Sequence, residues 1–166
     1  MVAQPELHDN DLVLWTQLLA ETLNAELLDT LRAEFPDVRY AHGFLFQQLV
    51  EGPRPVGEVA ENLGVTSQAI SKAARELEAL GYVERAPGPA DARVRLLALS
   101  GRGRAVVEAS RAARAALNAE LVAMLGRSQV EAAAETIRAA LESRRAMQAV
   151  ASRRVRSAQG LLDGSR

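Results

Sequence analysis

The sequence predicts a mainly α fold that carries one small β-hairpin, and three observations support this. Apolar residues recur at three- and four-residue steps over most of the 166 positions, the period of helices with one buried face. That rhythm stops between Gly81 and Ser100, where Pro87, Gly88 and Pro89 exclude a helix and short aliphatic runs stand on either side. Just before the interruption, two short periodic segments are joined by Gly64-Val65-Thr66, a helix stop followed at once by a helix start.

Taken in order, Asp11 to Phe35 carries Leu12, Trp15, Leu19, Leu23, Leu27 and Leu31 on one stripe, widened by Leu14, Leu18 and Leu28, and Pro36 ends it. Arg39 to Val50 makes a second helix with Phe44, Leu45 and Leu49 apolar, closed by Glu51-Gly52-Pro53. A third turns Val56, Val59, Ala60 and Leu63 inward and ends at Gly64, a residue free to adopt the left-handed conformation. Thr66 then caps a fourth helix with Ala69, Ile70, Ala73, Leu77 and Leu80 on one face. Gly81 stops it, Tyr82 to Arg85 starts a strand, Ala86 to Asp91 forms a turn-rich tip, and Arg93 to Leu99 returns. Ser100 caps a long helix from Gly101 to Leu125 bearing Val106, Ala109, Ala113, Leu117, Leu121 and Met124. Gly126 breaks it, and Ser128 caps a last helix bearing Val130, Ala133, Ile137 and Leu141. Because 17 of the 31 alanines fall in residues 105–166, these last helices can approach neighbours closely.

Two short helices followed directly by a hairpin form a winged helix-turn-helix, and here the residues resemble the MarR family of bacterial transcriptional regulators. The family's wing signature is met by Asp91, Arg93, Leu97, Leu99 and Ser100, with Gly103 following, and Glu78 to Arg85 is similar to the family's run into the wing. The likeness covers residues 39 to about 107 well and the remainder only by pattern. It implies a homodimeric DNA-binding regulator, more often a repressor, with first and last helices forming the dimer. It also implies an effector pocket between those helices and the winged region, taking small aromatic or anionic compounds.

The expected organisation is an N-terminal dimerisation helix (1–36), a winged DNA-binding region (37–100), C-terminal dimerisation helices (101–143) and a basic tail (144–166) that either prolongs the last helix or is disordered. A three-helix winged domain cannot bury every apolar stripe, so the surplus at both chain ends points to a second copy. A two-fold dimer would set its recognition helices about 34–36 Å apart, in successive major grooves of a pseudo-palindromic operator in double-stranded DNA.

Charge is distributed unevenly. The net charge of −1 argues against indiscriminate coating of nucleic acid, yet residues 1–53 hold two arginines against nine acids, while 85–104 hold five arginines against Asp91 alone. Ser67 and Gln68, at the exposed start of the fourth helix, are candidates for base edges; a well-placed glutamine contributes about 1–3 kcal/mol of discrimination at adenine. Ser71, Lys72 and Arg75 lie along the same side as phosphate contacts. The resemblance makes Arg93 the wing arginine for a narrow minor groove; Arg95 is a second backbone contact or a solvated strand residue, and Asp91 holds the hairpin by pairing with an arginine. For the effector pocket the candidates are Trp15, Arg39, Tyr40, His42, Phe44 and Phe46, against the plainer reading that helical aromatics are core. His42 with Arg39 is a candidate anion-binding or pH-responsive pair.

Several classes are disfavoured. Zero cysteines exclude disulfides and thiolate chemistry, and His8 and His42 lie too far apart for a sequence-local metal motif, so neither cofactor nor metal is expected. No glycine-rich Lys-Ser/Thr loop or nucleophile–histidine context suggests an enzyme. The absence of a long apolar run or a leader pattern leads to the expectation of a cytoplasmic protein with no membrane partner. The alternative is a winged-helix module that binds protein within a larger assembly.

Overall fold

The computed structural model describes residues 11–88 and 95–143. In chain order these form α1 (Leu12–Arg32), α2 (His42–Leu49), α3 (Val56–Leu63), α4 (Ser67–Ala79), β1 (Val83–Pro87), β2 (Arg95–Leu99), α5 (Gly101–Leu125) and α6 (Arg127–Ser143). The fold is mainly α with a two-stranded wing. Asp91, Arg93 and the 144–166 tail lie outside the described residues.

α1 begins where the Asp11 carboxylate accepts the Leu14 N–H at 3.0 Å. It ends at Arg32, ahead of Pro36, because Phe35 and Val38 leave the helical path and enter the core. α2 starts at His42, later than the expected Arg39. The chain from Arg39 first makes a tighter turn, with His42 N–H donating to the Arg39 carbonyl at 3.0 Å and Gly43 N–H to that of Tyr40 at 3.1 Å. The Arg39 N–H, which a helix start leaves without a helical partner, lies 3.2 Å from His42 Nδ1.

The centre of the core is built by Leu45 of α2, Val59 of α3, Ile70 and Leu77 of α4, Tyr82, Leu97 of β2 and Val106 of α5, all nearly inaccessible to solvent. Burying each such aliphatic side chain contributes about 1.5–3 kcal/mol. The Tyr82 ring lies between Phe35 and Phe46, with centroids 6.3 and 5.7 Å away in tilted arrangements.

β1 and β2 pair antiparallel from Val83↔Leu99 to Pro87↔Arg95. Ala86 and Pro87, expected in the tip, therefore continue the first strand; a proline lacks a ladder donor but is tolerated at the end of an edge strand. On the other side of β2, Arg54 makes an isolated bridge to Leu97, with N–H to O distances of 2.9 and 2.8 Å.

The Ser100 hydroxyl links wing to α5: its Oγ accepts the Gly103 N–H at 3.0 Å and donates to the Gly81 carbonyl at 2.6 Å. α6 begins at Arg127, two residues earlier than a Ser128 cap would allow. Gly126 turns the chain at φ +87°, and its carbonyl takes the Val130 N–H at 3.3 Å; Ser128 Oγ instead meets Gln129 Oε1.

α1 and α5 run antiparallel. Leu31 and Leu28 lie near Val106 and Val107, whereas Leu23 and Ala20 lie near Leu117 and Leu121. This arrangement brings exposed Leu12, Val13, Trp15, Leu18 and Leu19 to the same end as exposed Met124 and Leu125. Met124, expected on the inward stripe of α5, is 73% exposed, with none of the described residues laid over it. α6 has no buried residue, and its Ile137 is exposed as well. No helix among the described residues is long and apolar enough to cross a membrane.

Candidate nucleic-acid interface

The helix-turn-helix is set by three adjoining residues. Gly64 ends α3 at φ +69°, Val65 N–H returns to the Ala60 carbonyl at 3.0 Å, and Thr66 Oγ1 accepts the Ala69 N–H at 3.1 Å. Below this corner Asn62 donates to the buried Gln48 side chain at 3.1 Å, tying α3 to α2. Ala69, Ile70, Ala73, Ala74 and Leu77 then bury the inner face of α4.

Outward, Ser67, Gln68, Lys72 and Arg75 are exposed and Ser71 is half-buried. Arg75 Nε donates to the Ser71 carbonyl at 3.2 Å, which lays the side chain along the helix. Lys72, Arg75 and exposed Arg95 at the start of β2 form no ion pair among the described residues. At the helix N-terminus, where the dipole favours anions, Ser67 and Gln68 add hydroxyl and amide groups.

The arginine cluster of the wing is less available than its sequence density implies. Arg85 pairs with Glu78 of α4. Arg102 donates to the Leu80 carbonyl at 3.0 Å and pairs with Asp37 at 3.1 Å, with its guanidinium 4.5 Å from the Tyr82 ring centre. Arg104 donates to the Leu99 carbonyl at 2.6 Å. Three of the five arginines in 85–104 are thus committed to holding the wing, helix and connector together. None of these partners is near in sequence except Leu99 and Glu78.

A second polar group sits behind α4. Tyr82 hydroxyl donates to Asp37, which together with Arg102 holds that carboxyl below its ordinary 3.8. Burial and the same carboxylate push the Tyr82 phenol up to about 12. On the far side of Val38, Arg39 pairs with Glu76 of α4. His42 is 3% exposed, with Nε2 3.1 Å from Arg39 Nε and 3.7 Å from Glu76 Oε1. Burial, reinforced by the Arg39 charge, holds its pKa below the ordinary 6.5.

Beside this group a cleft of about 80 Å³ opens between α1, α2 and α5. Arg39, Tyr40 and Phe46 line it, with Leu27, Val107 and Arg114. The other pocket candidates fall elsewhere: Phe44 and His42 are core residues behind the cleft, and Trp15 lies farther along α1 on the exposed apolar end. Among the described residues, no three His, Asp or Glu side chains are grouped to hold a metal ion.

The MarR family model matches residues 41–94, from the start of α2 into the wing. Among solved structures, the YusO protein of Bacillus subtilis is 28% identical with a TM-score of 0.63, over 80% of this chain and 93% of that one. RV1404 of Mycobacterium tuberculosis is 21% identical with a TM-score of 0.71, over 84% and 97%. FabT of Streptococcus pneumoniae, solved in complex with DNA, is 18% identical with a TM-score of 0.64, over 81% and 97%. No curated protein sequence matches the chain.

Proposed function

We propose that this chain is a MarR-family DNA-binding transcriptional regulator, a homodimer that reads an inverted-repeat operator; the family model that matches residues 41–94 supports the reading. The observation that carries the reading is the outer side of α4: Ser67, Gln68, Lys72 and Arg75 stand exposed, and among the described residues no carboxylate is paired with the two cations. Base-edge groups lead and cations follow, the order in which a recognition helix meets bases and then phosphates. Arg95 extends the cationic side onto the wing, and Arg93 and Asp91 take the minor-groove and hairpin-holding roles that the wing signature suggests. That FabT, which shares the fold, was solved in complex with DNA supports the DNA-binding reading.

Dimer formation is supported by Leu12, Trp15 and Leu19 of α1 and Met124 and Leu125 of α5, exposed at one end of the antiparallel pair. A second copy is the simplest cover for them. Working on genomic DNA, the dimer acts in the cytoplasm, in the repressor mode more common in the family. An aromatic or anionic effector would occupy the cleft at Arg39, Tyr40 and Phe46 and release the operator.

Genomic fragments retained by the chain, once sequenced, give the operator. Binding is then measured against operator and random duplex across a salt series, with sedimentation on and off DNA. A dimer that prefers an inverted repeat and loses affinity with salt supports the proposal. A subunit that stays single on its duplex, or that binds no duplex, overturns it.

A further inference from the structure

We propose that Arg39, His42 and Glu76 are positioning residues for the recognition helix α4, fixing it on the connector between α1 and α2 without touching DNA themselves. The inference rests on the DNA-binding reading above. Apolar packing of Ile70, Ala74 and Leu77 keeps α4 on the core, but such contact is non-directional and does not define where along its axis the helix stops. Polar links do. One is the Leu80 carbonyl, held by Arg102, which also grips Asp37. Another is Glu76, held by Arg39. These two links end on the connector, on either side of buried Val38, while a third, Glu78 with Arg85, ties α4 to the wing.

His42 gives the second link its direction. Its ring lies within 3.2 Å of the Arg39 backbone N–H at Nδ1 and 3.1 Å of the Arg39 Nε–H at Nε2. A neutral imidazole accepts at one nitrogen, so either tautomer leaves Arg39 bound to the first turn of α2. A doubly protonated ring accepts at neither, repels the guanidinium, and turns to Glu76 Oε1, 3.7 Å away. The charged groups facing the ring are Arg39 and Asp37 from the connector and Glu76 from α4; burial and the Arg39 charge outweigh the two carboxylates and keep the neutral form resident near neutral pH.

Glu76→Gln separates positioning from simple charge. Removing a carboxylate beside DNA would, by charge alone, tighten binding to every duplex. Positioning reverses that sign for the operator only. The pair is partly exposed, so its loss should cost about fivefold in affinity per engaged α4, the upper end for such pairs. A duplex carrying one half-site should lose that factor once, and the whole operator should lose its square, while random-duplex affinity holds or rises. Arg39→Gln serves as the second variant, and unfolding midpoints matching the parent's exclude a folding defect. In the parent, lowering the pH from about 7.5 to about 5.5 should reduce operator affinity more than random-duplex affinity, and His42→Gln, an acceptor that cannot titrate, should abolish the difference. An operator-to-random affinity ratio unchanged in both Glu76→Gln and Arg39→Gln overturns the proposal. A parent chain that binds neither duplex refutes the DNA reading instead.

Discussion

Gly103→Ala tests the joint between wing and long helix, because two ordinary effects oppose each other there. Gly103 lies inside the first turn of α5, where alanine by helix propensity alone would add about 1 kcal/mol of stability. A Cβ at that position, however, would overlap the Tyr82 backbone oxygen and approach Leu99 Cδ2 to 3.1 Å. The oxygen cannot swing aside, since it accepts the Ser100 N–H at 3.0 Å and belongs to the residue whose ring lies between Phe35 and Phe46. Overpacking a core costs about 1–3 kcal/mol, and a clash with fixed backbone belongs at the upper end. The net loss is then about 2 kcal/mol, or about 4–8 °C in Tm for a chain of this size. Gly57→Ala in α3 is the control: nothing lies within 4 Å of its Cβ position, so it should gain about 0.5–1 kcal/mol. Urea and thermal unfolding of the two variants beside the parent measure both. A Gly103→Ala chain as stable as the parent would refute the close approach and with it the physical reason for glycine in the wing signature.

Thr66→Ala removes the only side-chain cap of α4 and should cost about 1 kcal/mol by urea unfolding, most of it recovered by Thr66→Ser. Lys72→Ala and Arg75→Ala should each weaken binding to every duplex and reduce the salt slope by about one, whereas Gln68→Ala should relax one base position per half-site; mobility shifts on an operator panel separate the two patterns. His42 is held below its ordinary 6.5, so near and below that pH the unfolded chain binds the extra proton first. Its stabilising contribution is therefore complete above pH 6.5 and declines as the pH falls toward the folded value; urea midpoints across that window should fall in the parent and change less in His42→Gln.

What could be read from the sequence was local. Gly64 and Thr66 act on neighbours within five residues, so the corner between α3 and α4 was visible from residue type and spacing. Ser100 capping α5 and the inward set Val59, Leu63, Ile70 and Leu77 follow from the same short-range rules. One miss had a longer-range cause: β1 kept Ala86 and Pro87 because β2 was there to pair with them. The start of α2 moved locally, where the chain from Arg39 first makes tighter three-residue turns. Ser128 was a reasonable cap by type, but Gly126 had already turned the chain.

The charge map illustrates the same limit with more consequence for function. Counting arginines in 85–104 suggests one broad phosphate-binding patch, yet Arg85, Arg102 and Arg104 point to Glu78, to Asp37 and to the Leu99 carbonyl. Arg102 and Asp37 stand 65 positions apart and Arg39 and Glu76 stand 37, so no spacing rule could have paired them. A cation already bound to a carboxylate releases few counterions when a phosphate approaches, because it must first give up its partner. The salt dependence of binding should therefore follow the uncommitted cations rather than the sequence total. On α4 and the wing those are Lys72, Arg75 and Arg95 among the described residues. Replacing Arg102 should accordingly cost fold stability by freeing Asp37 and the Leu80 carbonyl, and leave the salt slope close to the parent's. A large drop in that slope would mean that Arg102 abandons Asp37 for phosphate when DNA binds.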